Sequence, residues 1–184
     1  MDSTTPPARA PHAPTPPATH APDASTIPAA GPPPANPRFA GIDRLYGAGT
    51  VARLAATHVA VVGLGGVGSW AAEALVRSGV GRITLVDADD LCVSNTNRQL
   101  HALEGEYGRN KAEVLAERFR RINPALDVRA VADFVTPANL AERLEGGFDL
   151  VLDAFDSFRA KVETIAFCRR RKQPIVVVGS AGGR

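Results

Sequence analysis

Between residues 63 and 111 the chain carries groups suited to holding an anionic ligand: Gly63-Leu64-Gly65-Gly66-Val67-Gly68, then Asp87 and Asp89, then Asn95, Arg98 and Lys111. Gly63, Gly65, Gly66 and Gly68 let backbone approach a phosphate closely, and a helix opening behind them offers free N–H groups and the positive end of its dipole. Asp87 follows about 20 residues on, at the end of the next apolar run, where a carboxylate takes ribose hydroxyls. A carboxylate that orders its own loop is the other reading of Asp87. On these groups alone NAD and ATP fit equally well.

The following loop separates the two. A nicotinamide enzyme turns quickly from the ribose position into its next helix, whereas here Asp89-Asp90-Leu91-Cys92-Val93-Ser94-Asn95-Thr96-Asn97-Arg98-Gln99 intervenes, dense in hydrogen-bonding groups. Lys111 then stands in the first turn of a helix, where a cation is disfavoured by the dipole unless an anion lies opposite. Arg98 and Lys111 together suit the β- and γ-phosphates and the charge that develops on a leaving pyrophosphate. Two solvated surface cations are the plainer reading. Farther on, Asp153-Ala154-Phe155-Asp156 follows another apolar run. Carboxylates near a triphosphate are repelled unless a divalent cation lies between, so this turn reads as a magnesium site, with Asp156 the better ligand because it stands farther past the strand. Asp156 or Ser157 as a helix N-cap is compatible with that role.

These groups need a scaffold that brings strand ends to one rim. The hydrophobic pattern predicts strands at 57–62, 82–86, 127–132, 150–152 and 175–178, and helices at 69–78, 110–122, 137–145 and 158–172. Residues 38–54 read as a short helical or irregular lead-in bearing Arg38 and Arg44. Alternating strands and helices give an α/β fold, a doubly wound and mostly parallel Rossmann-like sheet with its ligand at the carboxyl ends of the strands. Residues 1–37 hold 12 of the 15 prolines and few large apolar groups, a composition that predicts a disordered tail. Residues 38–184 form the domain, and the glycine-rich end at 179–184 reads as the middle of a fold rather than its natural close.

Composition excludes several classes. A net charge of +2 gives no whole-chain case for nucleic acid, although Arg118, Arg120, Arg121 and the run 169–172 crowd positive charge locally, as solvated helix faces or as polyanion contacts. Cys92 and Cys168 form no C-x-x-C pair and read as core fillers, so neither a zinc knuckle nor a catalytic thiol is expected. No apolar run reaches the roughly 18 residues of a membrane span, and the expectation is a cytoplasmic protein.

The runs VVGLGGVGSWAAEALVRSGVGRITLVDADDLCVSNTNRQLHA, GRNKAEVLAERFRRINP, VTPANL, DAFDS and GSAGG resemble the ubiquitin-activating-enzyme-like superfamily of ATP-dependent adenylyltransferases. The resemblance covers residues 38–184, and SWAAEAL with CVSNTNRQLHAL is similar to its branch acting on threonylcarbamoyladenosine in tRNA. It implies an ATP and magnesium enzyme in which Gly63, Gly65, Gly66 and Gly68 hold phosphates, Asp87 takes the ribose and Asp89 is a further nucleotide-binding residue. Asn95, Arg98 and Lys111 contact the triphosphate, and Asp156 takes the magnesium. It also implies a homodimer in which Arg44 reaches the neighbouring subunit's ATP. The implied reaction adenylates the threonyl carboxylate of threonylcarbamoyladenosine-37 and cyclises it as AMP leaves. Activation of the C-terminal glycine of a ubiquitin-like sulfur carrier is the alternative within the superfamily, and a non-catalytic nucleotide-binding fragment is a further one. A sulfur-relay partner is not legible in the residues.

Overall fold

The computed structural model describes residues 36–144 and 146–179. The tail at 1–37 therefore falls outside the described residues except for its last two, and these belong to the domain: Asn36 caps a 3-10 turn, Pro37–Phe39, through a 3.1 Å bond from Arg38 N–H. The glycine-rich end at 180–184 is also outside them.

Five strands, β1 (His58–Val62), β2 (Arg82–Val86), β3 (Asp127–Val131), β4 (Leu150–Asp153) and β5 (Ile175–Val177), form one all-parallel sheet in the order β3-β2-β1-β4-β5. β1 and β2 are almost wholly buried, which is why VAVV and ITLV read as continuous apolar runs rather than alternating ones. The lead-in is two short helices, α1 (Ala40–Tyr46) and α2 (Thr50–Ala56), separated by a turn containing Gly47 and Gly49, both at positive φ.

Helices α3 (Gly68–Arg77) and α4 (Lys111–Ile122) cover one face of the sheet, around Val59, Val61, Ile83, Leu85 and Phe119. In α4 the residues Ala112, Leu115, Ala116 and Phe119 recur at helical spacing and all are buried, each large one contributing about 1.5–3 kcal/mol. Helices α5 (Leu140–Leu144) and α6 (Phe158–Arg170) line the other face, with Phe148, Phe167 and Cys168 in the second core cluster. α5 is shorter than the predicted 137–145. Thr136 and Asn139 first close a turn on each other, Thr136 N–H donating to Asn139 Oδ1 at 2.8 Å, and this uses up the first turn of the expected helix. Among the described residues no helix is long and apolar enough to cross a membrane.

The topology produces the site. The chain steps outward from β1 through β2 to β3 and then returns to β4 on the far side of β1, so the strand order reverses beside β1 and opens a crevice at the carboxyl ends. Register places Val62 opposite both Val86 and Asp153. Gly63 N–H then donates to Val86 O at 2.9 Å and Ala154 N–H to Val62 O at 2.8 Å, so the three loops leave the sheet at one level.

Candidate active site

The crevice is a cleft of about 510 Å³ whose walls include Gly65, Gly66, Asn95, Arg98, Lys111 and Asp156. A smaller recess of about 220 Å³ adjoins it, lined by Val62, Val86, Phe134, Val135 and Phe155. Gly63, Asp87, Asp89 and Phe155 belong to both. A polar space continuous with an apolar one, hinged on a carboxylate, suits a nucleotide whose base is flat and apolar and whose other end is anionic.

The glycines divide into two kinds. Gly63 has φ of 88°, and a Cβ there meets the Phe155 backbone at 2.7 Å; at Gly68 a Cβ collides with Gly63 O. Those two allow the strand, turn and helix to close. Gly65 and Gly66 instead face the cleft, with the stem of Arg98 at 3.3–3.4 Å from the position of a Gly66 Cβ. Gly68 is not in the cleft wall; it is the packing contact that lets α3 start.

Asp87 is the residue on which the loops turn. Its Oδ2 accepts Leu64 N–H at 2.7 Å and its Oδ1 accepts Asp89 N–H at 2.9 Å, so it orders the glycine loop while lining both cavities. The loop-ordering reading of Asp87 is thus seen in its bonds, and the residue also lines both cavities. Asn95 is buried and its Oδ1 accepts Cys92 N–H at 3.0 Å. It therefore shapes the loop as well as lining the cleft. Arg98 donates through Nη1 to Ser94 O and Asn97 Oδ1, which aims the guanidinium along the cleft wall. The loop is tied to α3 by Trp70 Nε1–H donating to Arg98 O at 3.0 Å and by Leu100 N–H donating to Ser69 Oγ at 3.4 Å, while the Ser69 hydroxyl itself donates to Gly65 O at 2.7 Å in the glycine turn.

Lys111 is 6% exposed at the first position of α4, behind its cap Asn110. The positive helix end disfavours an ammonium there, and the structure supplies the balancing anion: Nζ lies 2.9 Å from Asp89 Oδ2. Lys111 and Asp89 thus form an ion pair within the cleft wall, and both line the cleft.

The two carboxylates after β4 part company. Asp153 is fully buried and lies outside the cleft wall, its Oδ1 bonded to Lys161 Nζ at 2.6 Å and its Oδ2 without a partner among the described residues. Asp156 is exposed and lines the cleft. Ser157 takes the N-cap of α6, accepting Ala160 N–H, which leaves the Asp156 carboxylate uncommitted among the described residues. Arg44 lies on the exposed part of α1 and does not reach its own chain's cleft. Cys168 is buried, and burial raises its thiol pKa, whereas Cys92 is exposed in the cleft wall. The reading of both cysteines as core fillers is corrected for Cys92, which sits in extended backbone just ahead of the 3-10 turn Val93–Asn95.

Residues 40–184 match the ThiF family. The chain belongs to that family. It is 56% identical over 147 residues to tRNA threonylcarbamoyladenosine dehydratase of Escherichia coli (strain K12), covering 80% of this chain and 55% of that protein. The enzyme of the same name from Haemophilus influenzae (strain ATCC 51907 / DSM 11121 / KW20 / Rd) is 48% identical over 147 residues, covering 80% and 56%. Crystal structures of the E. coli enzyme, TcdA, in complex with ATP and with AMP superpose with a TM-score of 0.78 at 56% identity, over 80% of this chain and 60% of theirs. The chain thus spans little more than half the length of these relatives. The sheet described above is the ThiF-family fold, α/β and Rossmann-like.

Within this family member, three contributors escaped the reading of the sequence. Gln99 is 6% exposed in the cleft wall, its amide nitrogen about 4.0 Å from a Cβ at Gly65, and its Oε1 has no partner among the described residues. Phe134 and Phe155 supply the apolar recess. Gln99 was legible as part of a polar loop, but nothing in its type or spacing set it apart from Asn97. The phenylalanines carry no polar signal at all.

Proposed function

We propose that this protein is an ATP-dependent tRNA threonylcarbamoyladenosine dehydratase, adenylating the threonyl carboxylate of threonylcarbamoyladenosine-37 and cyclising it with release of AMP. The observation that carries the reading is the convergence of the open Gly65-Gly66 turn, Arg98 and Lys111 on one cleft at the strand-order reversal. The 56% identity to an enzyme of that name supports the choice of substrate.

In this reading the adenine lies in the Phe134–Phe155 recess, the ribose at Asp87, and the phosphates run over Gly65 and Gly66 toward the start of α3. Asp156 fits a magnesium ion: it is an uncommitted carboxylate, and no group of three or more acidic, His or Cys ligands exists among the described residues. One carboxylate completed by phosphate oxygens and water is how magnesium is usually held. The metal supplies charge neutralisation between Asp156 and the phosphates.

The substrate carboxylate oxygen attacks the α-phosphorus, forming the acyl-adenylate as the bond to pyrophosphate breaks. Arg98 and Lys111 stabilise the charge that develops there, each charge-assisted contact contributing about 1.5–3 kcal/mol. A nitrogen of the same modification then attacks the activated carbonyl, AMP departs, and the nitrogen's proton passes to water. Nucleophile and electrophile both belong to the RNA, so the protein contributes position and charge, with no thiol in the chemistry.

A homodimer belongs to the same proposal. Arg44 is followed by Leu45 and Tyr46, 71% and 68% exposed, an apolar patch suited to cover by a second copy. Arg44 then reaches the partner's ATP, and the cytoplasm, where tRNA is, is its place. The test is AMP release on adding tRNA bearing the modification. AMP above the level of a Lys111→Ala control supports the reading; none above it refutes the reading, and AMP released by a carrier protein ending in Gly-Gly points to the alternative.

A further inference from the structure

A third recess, of about 420 Å³, lies away from the nucleotide cleft, walled by Arg38, Arg77, Arg121, Phe39 and Ile122. Arg77 closes α3 and Arg121 lies in the last turn of α4. Both helices run back from the cleft rim, so the recess is at the end of the sheet where the strands begin. We propose that this recess holds backbone phosphates of the tRNA, an anchor separate from the site that takes the modified base; the inference rests on the dehydratase reading.

Helix dipoles explain cations at the ends of α3 and α4, since a helix carboxyl end favours them. They do not explain Arg38, which comes from the Pro37–Phe39 turn and converges on the same space. No carboxylate lines the recess among the described residues. Glu73 lies nearby, but its oxygens are bonded to Arg77 at 2.7 Å and to Arg118 at 2.6 Å, one anion shared between two cations. The guanidinium groups of Arg38 and Arg121 have no acidic partner among the described residues. Guanidinium groups gathered round a common space repel one another, and an anion between them turns the repulsion into attraction. Their forked donors match phosphate oxygens in pairs.

The same rim carries Arg120, whose Nη2 donates to Val128 O, and the end of α6 with Arg169 and Arg170. The same end also holds Asp127, paired with Arg82 at 2.9 Å, and Asp149, which accepts His58 N–H at 2.7 Å; the cations outnumber these carboxylates, so the recess is the concave part of a net basic edge suited to a polyanion. The central strands between the two rims are four or five residues long, which separates recess and cleft by about 15 Å at roughly 3.3 Å per residue. An RNA stem-loop is longer than that, so one tRNA can engage both. Phosphate contacts set the register of an RNA without reading its sequence, which leaves the base to the cleft.

The test is an Arg38→Gln/Arg121→Gln double variant of the full chain, titrated with a tRNA transcript across a range of salt. Glutamine keeps an extended polar stem at both positions and the helix propensity at 121. The proposal expects tRNA affinity to fall about tenfold at about 0.1 M salt and the slope of log K against log salt to shrink by about 2, roughly one for each phosphate no longer engaged. The thermal shift given by ATP and magnesium should match that of the unaltered protein, which shows that the fold and cleft are intact. Unchanged tRNA affinity and salt slope in the variant overturn the recess as an RNA site while leaving the dehydratase reading in place. If the unaltered protein responds to ATP but binds no tRNA, both the recess and the tRNA substrate are overturned, and a carboxylate on another carrier remains.

Discussion

Replacing Lys111 by Met removes the ammonium and keeps the buried stem. The structure separates the two consequences. For folding, the Lys111–Asp89 pair has one side chain 8% exposed and the other 58% exposed, so its contribution is limited by hydration of the carboxylate to at most about 1 kcal/mol. In the proposed reading the same ammonium contacts ATP, a charge-assisted contact worth about 1.5–3 kcal/mol or a factor of about 10 to 160 in Kd. At an ATP concentration of about 100 Kd the unaltered protein gains about 2.7 kcal/mol, and the variant at the same concentration gains only about 0.3–1.3 kcal/mol. For a domain of this size that is a melting shift of roughly 8 °C against roughly 1–4 °C. The assay is thermal unfolding with and without ATP and magnesium, NADH serving as the control that moves neither protein. A variant that keeps the full ATP shift refutes the assignment of Lys111 to the phosphates. A variant that melts far lower without ligand shows instead that the pair holds the fold.

The two kinds of glycine should respond differently. Gly68→Ala drives a methyl onto Gly63 O and costs about 3 kcal/mol or more of stability, whereas Gly66→Ala meets only the flexible stem of Arg98 and should melt normally while binding ATP about tenfold more weakly; equal stabilities contradict the division. His101 is 1% exposed with neither ring nitrogen bonded, and burial, aided by the charges of Lys111 and Arg118, lowers its pKa from 6.5 to about 4. Because the folded value lies below the unfolded one, the stabilisation is complete above about pH 6.5 and is lost as pH falls toward about 4, about 3 kcal/mol over that window. Urea unfolding at several pH values should show this slope, and His101→Leu should flatten it. Cys92, exposed in the cleft, should be alkylated by a small maleimide and protected by ATP, with Cys168 inert until unfolding; an unprotected Cys92 places the nucleotide elsewhere.

The strands and the rim were legible because burial on both faces writes unbroken apolar runs, and because β1 and β2 hand over to Gly63 and Asp87 while β4 ends on Asp153, level with Val62. Lys111 was legible as a cation where a helix disfavours one, but its partner was not. Asp89 meets it across 22 residues, and the meeting depends on Leu91 N–H bonding Arg109 O and Lys111 N–H bonding Asp89 O, a pairing with no local sequence signature. Asp153 and Asp156 looked alike in one short turn. Only the fold shows that Lys161, one turn into α6, neutralises the first and leaves the second to the cleft. The exposed position of Cys92 and the convergence of Arg38 with Arg77 and Arg121 are likewise tertiary facts. Each of these residues is ordinary on its own element.

If the cleft consumes one ATP to close a ring on an RNA-borne carboxylate, nucleoside and nucleotide must change together. Digesting tRNA after reaction and weighing the nucleosides, with AMP counted in the same tube, reads both. The expected result is threonylcarbamoyladenosine lighter by one water and one AMP for each nucleoside converted, with neither product from the Lys111→Met variant. Cyclised nucleoside without AMP, or AMP with the nucleoside mass unchanged, contradicts the proposed reaction.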